Sequence, residues 1–149
     1  MKEARTTKLF QELESLSKSN HAYQSFLSAH QTEQQYTSLH DFLTAYLAAH
    51  PDITTPDIIF RSNLNQNYVY PILNGTRLHP SKYKLVALCI AARMNIKDTQ
   101  RALMLAGCTE LHPKINADAG IILCINDGCD TVMEVEDFLI ENGVEDPFV

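Results

Sequence analysis

Between residues 76 and 82 the chain carries four side chains that together could hold a phosphate group. Thr76 and Ser81 supply hydroxyls, and Arg77 and Lys82 supply positive charges, close to predicted helix ends. Hydroxyl and cationic side chains near helix N-termini are the groups that hold phosphate oxygens in nucleic-acid complexes. A solvated basic loop would have the same composition, so these four residues are candidates for phosphate contact.

The charge of the whole chain hides a basic segment. The net charge is −6, which by itself argues against a polyanionic partner. Residues 55–101, however, contain seven basic and two acidic residues, a net charge of +5, whereas residues 102–149 carry −9 and residues 1–54 carry −2. A phosphate-binding surface needs local positive charge, and the segment around Arg77 and Lys82 provides it.

No residue pattern points to catalysis or to a bound cofactor. The six histidines and eighteen carboxylates have no spacing typical of a metal site or a catalytic triad, and the chain lacks a glycine-rich phosphate loop. The four cysteines form no CxxC pair and are expected to be reduced, structural thiols: Cys89, Cys108, Cys124 and Cys129. We therefore expect no enzyme, no catalytic residue, no metal and no cofactor.

Nothing in the sequence predicts a membrane protein. No apolar run approaches the roughly 18 residues required to cross a bilayer. The charged N-terminus lacks the apolar core of a signal peptide, so a cytoplasmic location is expected. With 149 residues, 45% of them hydrophobic, the chain can form a globular domain with a core of its own.

The candidate phosphate loop follows two short predicted helices, which lie between Thr55 and Gly75 and are joined by a tight turn. The hydroxyl of Thr55 is expected to cap the first helix, ahead of a proline at its first position. Asn63 suits a left-handed turn residue, and Asn65 suits the N-cap of the second helix. Asn74 and Gly75 would end that helix.

This segment resembles the helix-turn-helix of the phage-repressor and Cro type, the XRE family. The residues that carry the resemblance in the two helices are Ile58 to Arg61, Ser62-Asn63-Leu64-Asn65, Tyr68-Val69, Ile72 and Asn74-Gly75. It continues through His79-Pro80-Ser81, Lys84-Leu85, Leu88, Thr99-Gln100-Arg101, Leu105-Ala106-Gly107, Asp118-Ala119 and Ile121-Ile122. This later run resembles small stand-alone bacterial regulators in which a five-helix domain carries a further helical pair. The resemblance covers roughly residues 37–145.

The resemblance implies that the second helix of the motif enters the major groove of DNA, where amide side chains can pair with base edges. Gln66, Asn67 and Tyr70 would be its exposed contact residues, and Asn65 at the helix start joins them. Thr55 would lie near a phosphate at the start of the first helix. Polar surface on an ordinary helix and a plain N-cap are the alternatives.

One residue departs from the repressor pattern. Pro71 lies inside the presumed recognition helix, has no N–H to give to the carbonyl of Asn67, and crowds that carbonyl with its ring. The sequence therefore predicts a kinked or 3₁₀-like helix, or a single turn that restarts after Tyr70. Either outcome would change how Gln66 and Tyr70 are presented to a groove.

The predicted fold is all-α and has three parts. Residues 1–36 are an N-terminal helical leader, residues 37–107 are a repressor-like five-helix helix-turn-helix domain, and residues 108–149 are a C-terminal helical extension packed on it. The apolar run 119–125 in the extension is expected to be almost fully buried. Predicted N-caps outside the motif are Ser38, Asn95 and Thr131.

The leading hypothesis is a small cytoplasmic, bacterial-type transcription regulator that binds specific sequences of double-stranded DNA through residues 55–82. The alternative is a repressor-like fold that acts as a protein–protein interaction module without DNA binding. Pro71 and the acidic C-terminal half favour that alternative. The sequence leaves open a protein partner of the acidic half and a homodimer, and it predicts neither an operator nor an effector.

Overall fold

The computed structural model describes residues 38–149, and this part of the chain is helical. Seven α-helices and no strand occur in it: α1 (Leu39–Ala49), α2 (Thr55–Ser62), α3 (Gln66–Leu73), α4 (Lys82–Ala91), α5 (Ile96–Leu105), α6 (Asn116–Asn126) and α7 (Val132–Glu141). The all-α class is therefore confirmed for these residues, with α1 to α5 as the five helices predicted before Gly107. The leader helices predicted over 8–16 and 21–31 lie outside the described residues. None of the seven helices combines the length and the hydropathy needed to cross a bilayer.

Side-chain caps fix the starts of several helices. Ser38, Asn95 and Thr131 have extended backbone, and the side chain of each accepts a backbone N–H from the first turn of the helix that follows. The donors are Asp41, Asp98 and Glu134, at 3.1, 2.8 and 3.3 Å respectively. Each such bond contributes about 1 kcal/mol to helix stability. The three predicted N-caps are confirmed.

Helices α4 to α7 end in the same backbone motif, which requires one left-handed residue. At the end of α4, the N–H of Met94 bonds the carbonyl of Cys89 and the N–H of Arg93 bonds the carbonyl of Ile90, both at 3.0 Å. This is the pairing of a Schellman motif. Helices α5 to α7 place glycine at the left-handed position, whereas α4 places Arg93 there with φ 59°. The Arg93 side chain pairs with Asp130, with 3.0 Å between Nε and Oδ2.

Helix α4 lies at the centre of the core. Every residue from Leu85 to Ala91 is buried, and α4 packs on α2, α5 and α7. Tyr46 of α1 reaches the end of α4, where its hydroxyl donates to the carbonyl of Ala92 at 2.7 Å. Residues 38–149 form one compact unit. The C-terminal helices therefore share a core with the first five instead of forming a separate body after Gly107.

Helices α6 and α7 pack closely because Gly120 has no side chain, and a Cβ at that position would overlap Leu139. The prediction that the run 119–125 is almost fully buried is wrong. Ile121, Cys124 and Ile125 are buried, but Ile122 is partly exposed and Leu123 is 57% exposed. One face of α6 meets α5 and α7, and the apolar side chains on its other side remain in contact with solvent.

Candidate nucleic-acid interface

The cap of α2 is Thr54, and the prediction of Thr55 is wrong by one residue. The hydroxyl of Thr54 accepts the N–H of Asp57 at 3.3 Å. In return, hydrogen bonds from the side chain and backbone of Thr54 lower the pKa of the Asp57 carboxyl. This reciprocal pair has the form of a capping box. Thr55 is the first helical residue and is partly buried, while Pro56 is second, where a missing N–H is equally harmless.

The turn between α2 and α3 has the predicted form. Asn63 is left-handed with φ 58°. The buried Ser62 accepts the N–H of Leu64 on its hydroxyl at 3.2 Å. Asn65 caps α3, because its Oδ1 accepts the N–H of Asn67 at 2.7 Å. Side chain–backbone hydrogen bonds therefore fix the turn on both sides, which sets the position of α3 against α2.

Helix α3 runs without interruption through Pro71, so the predicted 3₁₀ segment or restart after Tyr70 is wrong, whereas the kink at Pro71 stays a prediction. The chain continues to bond normally beyond the proline: the N–H of Asn74 donates to the carbonyl of Tyr70, and that of Arg77 donates to the carbonyl of Pro71, both at 2.9 Å. Because Pro71 has no N–H, the carbonyl of Asn67 lacks the hydrogen bond that residue 71 would otherwise donate. Asn67 is exposed, so water can satisfy that carbonyl.

One side of α3 is buried and the other faces solvent. Val69 and Ile72 are fully buried, and α3 packs on α1. At its C-terminal end, the ring Nδ1 of His40 from α1 hydrogen-bonds the carbonyl of Leu73 at 3.1 Å. The exposed side chains at its start and along its outer side are Asn65, Gln66, Asn67 and Tyr70. The candidate contact residues thus share one side of a firmly held helix.

Two cations lie over the ring of Tyr68, beside the start of α3. Arg77 Cζ is 4.4 Å and Lys84 Nζ is 4.6 Å from the ring centroid. The negative face of an aromatic ring attracts cations. Both side chains are nevertheless exposed, so their charges remain open to an anion. The sequence predicted Arg77 as a candidate and missed Lys84.

The two candidate hydroxyls are both on exposed residues but differ in their partners. Thr76 Oγ1 donates to Asn74 Oδ1 at 2.6 Å and would have to release that bond in order to donate to a phosphate. Ser81 precedes α4, and its side chain makes no cap hydrogen bond. The N–H of Ser81 donates to the hydroxyl of Tyr68 at 3.3 Å. Ser81 is therefore held beside Tyr68, whose ring the two cations cover, and it lies at the positive end of the α4 dipole.

The side chain of Lys82 makes its polar contacts inside the protein. Its Nζ lies 3.0 Å from Asp118 Oδ2, 3.1 Å from the carbonyl of Glu110 and 3.3 Å from Thr109 Oγ1. The side chain of Lys82 is 15% exposed and that of Asp118 is completely buried. A buried carboxylate is strongly destabilising without a cation and hydrogen-bond donors. Lys82 therefore joins α4 to α6 and is not placed to bind a phosphate.

Asp118 is the centre of a small buried network that the sequence analysis missed. Besides Lys82, its carboxylate accepts the hydroxyl of Tyr83 at 2.6 Å and the N–H of His112 at 2.9 Å. Burial and the hydrogen bond to Asp118 raise the pKa of the Tyr83 hydroxyl to about 12. The signal was present in the sequence, since Asp118 is the only charged residue of α6, lies among apolar neighbours and needs a partner if it is buried. Which lysine would supply the charge depends on tertiary packing.

The local positive charge is consequently smaller than the sequence suggests. Of the seven basic residues in 55–101, three are engaged inside the fold or paired. These are Lys82, Arg61, whose Nε donates to the carbonyl of Ala91 at 2.9 Å, and Arg93, which pairs with Asp130. The others are Arg77 and Lys84 beside α3, and Lys97 and Arg101 on α5.

A cleft of about 410 Å³ opens beside the start of α3. Its lining combines amide, aromatic and cationic side chains: Asn63, Leu64, Asn65, Asn67, Tyr68, Lys84 and Phe148. Phe148 comes from the C-terminal segment after α7. No pattern in the sequence placed that segment next to α3.

No group of three or more His, Cys, Asp or Glu side chains within residues 38–149 is arranged to hold a metal ion. All four cysteines are free thiols. Burial raises the pKa of each of them, most strongly for the fully buried Cys89. Thiols held protonated in this way are poor nucleophiles.

Compared with protein-family models, curated proteins and solved structures, the chain matches none of them.

Proposed function

We propose that this chain is a cytoplasmic transcription regulator of the helix-turn-helix repressor type, which binds double-stranded DNA with α3 in the major groove. The proposal combines the sequence resemblance to the XRE family with one observation. The exposed start of α3 presents three amide side chains, on Asn65, Gln66 and Asn67, directly beside two exposed cations. Amides that can pair with base edges, flanked by cations for phosphates, are the two components that DNA recognition requires.

The phosphate contacts are assigned to Arg77, Lys84 and Ser81. The two cations are held over Tyr68, which restricts their freedom before binding and lowers the entropy lost when a phosphate is bound. Ser81 adds a hydroxyl at the N-terminus of α4, where the helix dipole favours an anion. Lys82 is removed from this set because Asp118 already holds it.

The base contacts are assigned to Gln66, Asn67 and Tyr70. The uninterrupted course of α3 supports this assignment, since a break at Pro71 would have counted against it. The helix has eight residues, enough to place its first two turns in a groove. Thr55 and Thr76 remain secondary candidates, since Thr55 is partly buried and Thr76 already donates to Asn74.

A salt titration tests the proposal. The affinity of the intact chain for a random duplex should fall with salt at a log–log slope of about −0.9 per phosphate neutralised. Arg77→Ala and Lys84→Ala should each weaken binding similarly on every sequence and reduce the slope by about one unit. Lys97→Ala is the matched control, because Lys97 is an exposed lysine of α5 outside the cleft. No detectable complex at about 50 mM salt with micromolar protein would contradict the proposal.

Sequence preference is tested separately. Gln66→Ala and Asn67→Ala should change the ranking of sequences selected from a random duplex pool, since base edges differ between sequences and phosphates do not. The salt slope should stay the same in both variants. If the ranking does not change, α3 does not read base edges in the assigned way.

One observation favours a second function, a protein-interaction module that does not bind DNA. Large apolar side chains are exposed on the C-terminal helices, with Leu123, Met133 and Ile140 at 57, 66 and 60%. Met133 and Ile140 are seven residues apart and therefore share one side of α7, and a contiguous exposed apolar patch is typical of a protein-binding surface. Under this alternative, Leu123→Glu would abolish association with a protein partner or with a second copy of the chain, and the DNA titration would show no complex.

A further inference from the structure

The C-terminal segment ends against the side of the molecule that holds the candidate DNA contacts. Residues 145–149, which we call the strap, follow the end of α7. The Phe148 ring lies edge-on to Tyr83 of α4, with centroids 6.3 Å apart and an interplanar angle of 83°. The same ring lines the cleft together with Asn65, Asn67 and Lys84. The strap thus occupies space next to the residues assigned to bases and phosphates.

A second, smaller cavity shows which parts of the protein lie next to Phe148 of the strap. About 40 Å³ of space lies beneath Phe148, between α7, α4 and the turn after α2. Glu136 and Val132 of α7 line it on one side, and Asn63 and Leu64 of the turn line it on another. Phe148 therefore bridges the C-terminal helix and the turn that positions α3.

The bonds that hold the strap are made by side chains. Within residues 38–149, the last backbone–backbone hydrogen bond is the one from Val144 N–H to the Leu139 carbonyl, at 2.9 Å. Beyond it, Asp146 Oδ1 accepts the N–H of Phe148 at 2.8 Å, and the Asp146 side chain hydrogen-bonds Glu136. A segment that is held by one aromatic contact and one carboxyl pair can detach from the rest of the protein without the unfolding of a helix.

We propose that the strap is an autoinhibitory segment whose Phe148 ring competes with the DNA backbone for the cleft beside α3. This inference rests on the proposed function, because it names what regulates the same site. Phe148 lines the cleft together with Lys84, where a phosphate would otherwise lie, and Asp146 of the same strap is paired with Glu136 of α7. A duplex that contacts Asn67 and Lys84 must enter the cleft that the Phe148 ring lines.

Phe148→Ala is the decisive variant because it leaves the net charge unchanged. An aromatic pair of this geometry is worth about 2- to 12-fold in an equilibrium constant. If the strap is docked in most molecules, the affinity of the full chain for a random duplex should increase by a factor in that range. A chain that ends at Val144 should bind at least as tightly as Phe148→Ala. Val149→Ala is the matched control, since Val149 is fully exposed, and it should bind like the wild type.

The outcomes separate the two proposals. If wild type, Phe148→Ala and the shortened chain bind DNA with equal affinity, the autoinhibitory inference is wrong and the proposed function stands. If none of them binds at low salt, both proposals are wrong. An independent readout needs no DNA: the amide NMR signals of Asn67 and Lys84 should shift in Phe148→Ala and not in Val149→Ala. Unchanged signals would show that the strap does not occupy the cleft in solution, which overturns the inference.

Discussion

Removing the charge of Lys82 should destabilise the fold far more than removing that of Lys84, although the two lysines are two residues apart on α4. Lys82→Met leaves the fully buried carboxylate of Asp118 without its cation. Breaking a buried ion pair from one side costs about 3–5 kcal/mol. Asp118 keeps its hydrogen bonds from Tyr83 and His112, which places the expected loss near 3 kcal/mol. For a chain of this size, that corresponds to a melting temperature lower by about 10 °C.

The assay is thermal unfolding followed by circular dichroism at 222 nm, with Lys84→Met as the control. Lys84 is exposed, so its replacement should change stability by less than about 1 kcal/mol. In a double-mutant cycle, Asp118→Asn should cost less in the Lys82→Met background than in the wild type, because the unpaired charge is already present. If Lys82→Met and Lys84→Met melt within about 2 °C of each other, the buried network does not stabilise the fold. Lys82 would then return to the phosphate candidates.

Three further predictions concern single positions. Pro71→Ala restores the N–H for the Asn67 carbonyl and should raise stability by about 1 kcal/mol in a denaturant titration; a lower value would mean that the fold requires the proline. A hydrogen bond to Asp146, together with burial, raises the pKa of Glu136 from 4.5 to about 7. This contribution to stability is complete below pH 4.5 and lost as the pH rises through 7, so Glu136→Gln should flatten the fall in melting temperature over that window. Arg93→Gly should be about 1 kcal/mol more stable than Arg93→Ala, since both lose the ion pair and only glycine accepts the left-handed backbone freely. Equal stabilities would contradict the assigned strain.

Local sequence rules predicted the helices and turns of residues 38–149 well. Asn63, Asn65 and Asn95 act within a few residues of their own positions, so their roles can be inferred from the sequence alone. The error at Thr55 came from choosing the wrong one of two adjacent threonines. Asp57, three residues after Thr54, is the signal that distinguishes them.

The predictions that failed depended on tertiary placement. Lys82 and Lys84 are equivalent by sequence pattern, and only the position of Asp118 on α6 decides which of them becomes buried. Leu123 belongs to an apolar run, yet the run turns through a full helical circle while α5 and α7 cover only part of it. The place of Phe148 beside α3 likewise depends on how α7 packs against α2 and α4, which no local pattern encodes.

The internal use of Lys82, Arg61 and Arg93 changes the electrostatics expected of the α3 side. A segment of net charge +5 suggests about five neutralised phosphates and a salt slope near −4.5. Only Arg77 and Lys84 stand beside α3 with exposed charges, which suggests about two phosphates and a slope near −1.8. If the proposed function is correct, so small a non-specific contribution requires that most of the affinity come from base contacts of α3. Under the proposed function, such a chain would discriminate strongly between sequences while binding random DNA weakly, and a strap whose Phe148 lines the cleft beside Lys84 would weaken the random binding further.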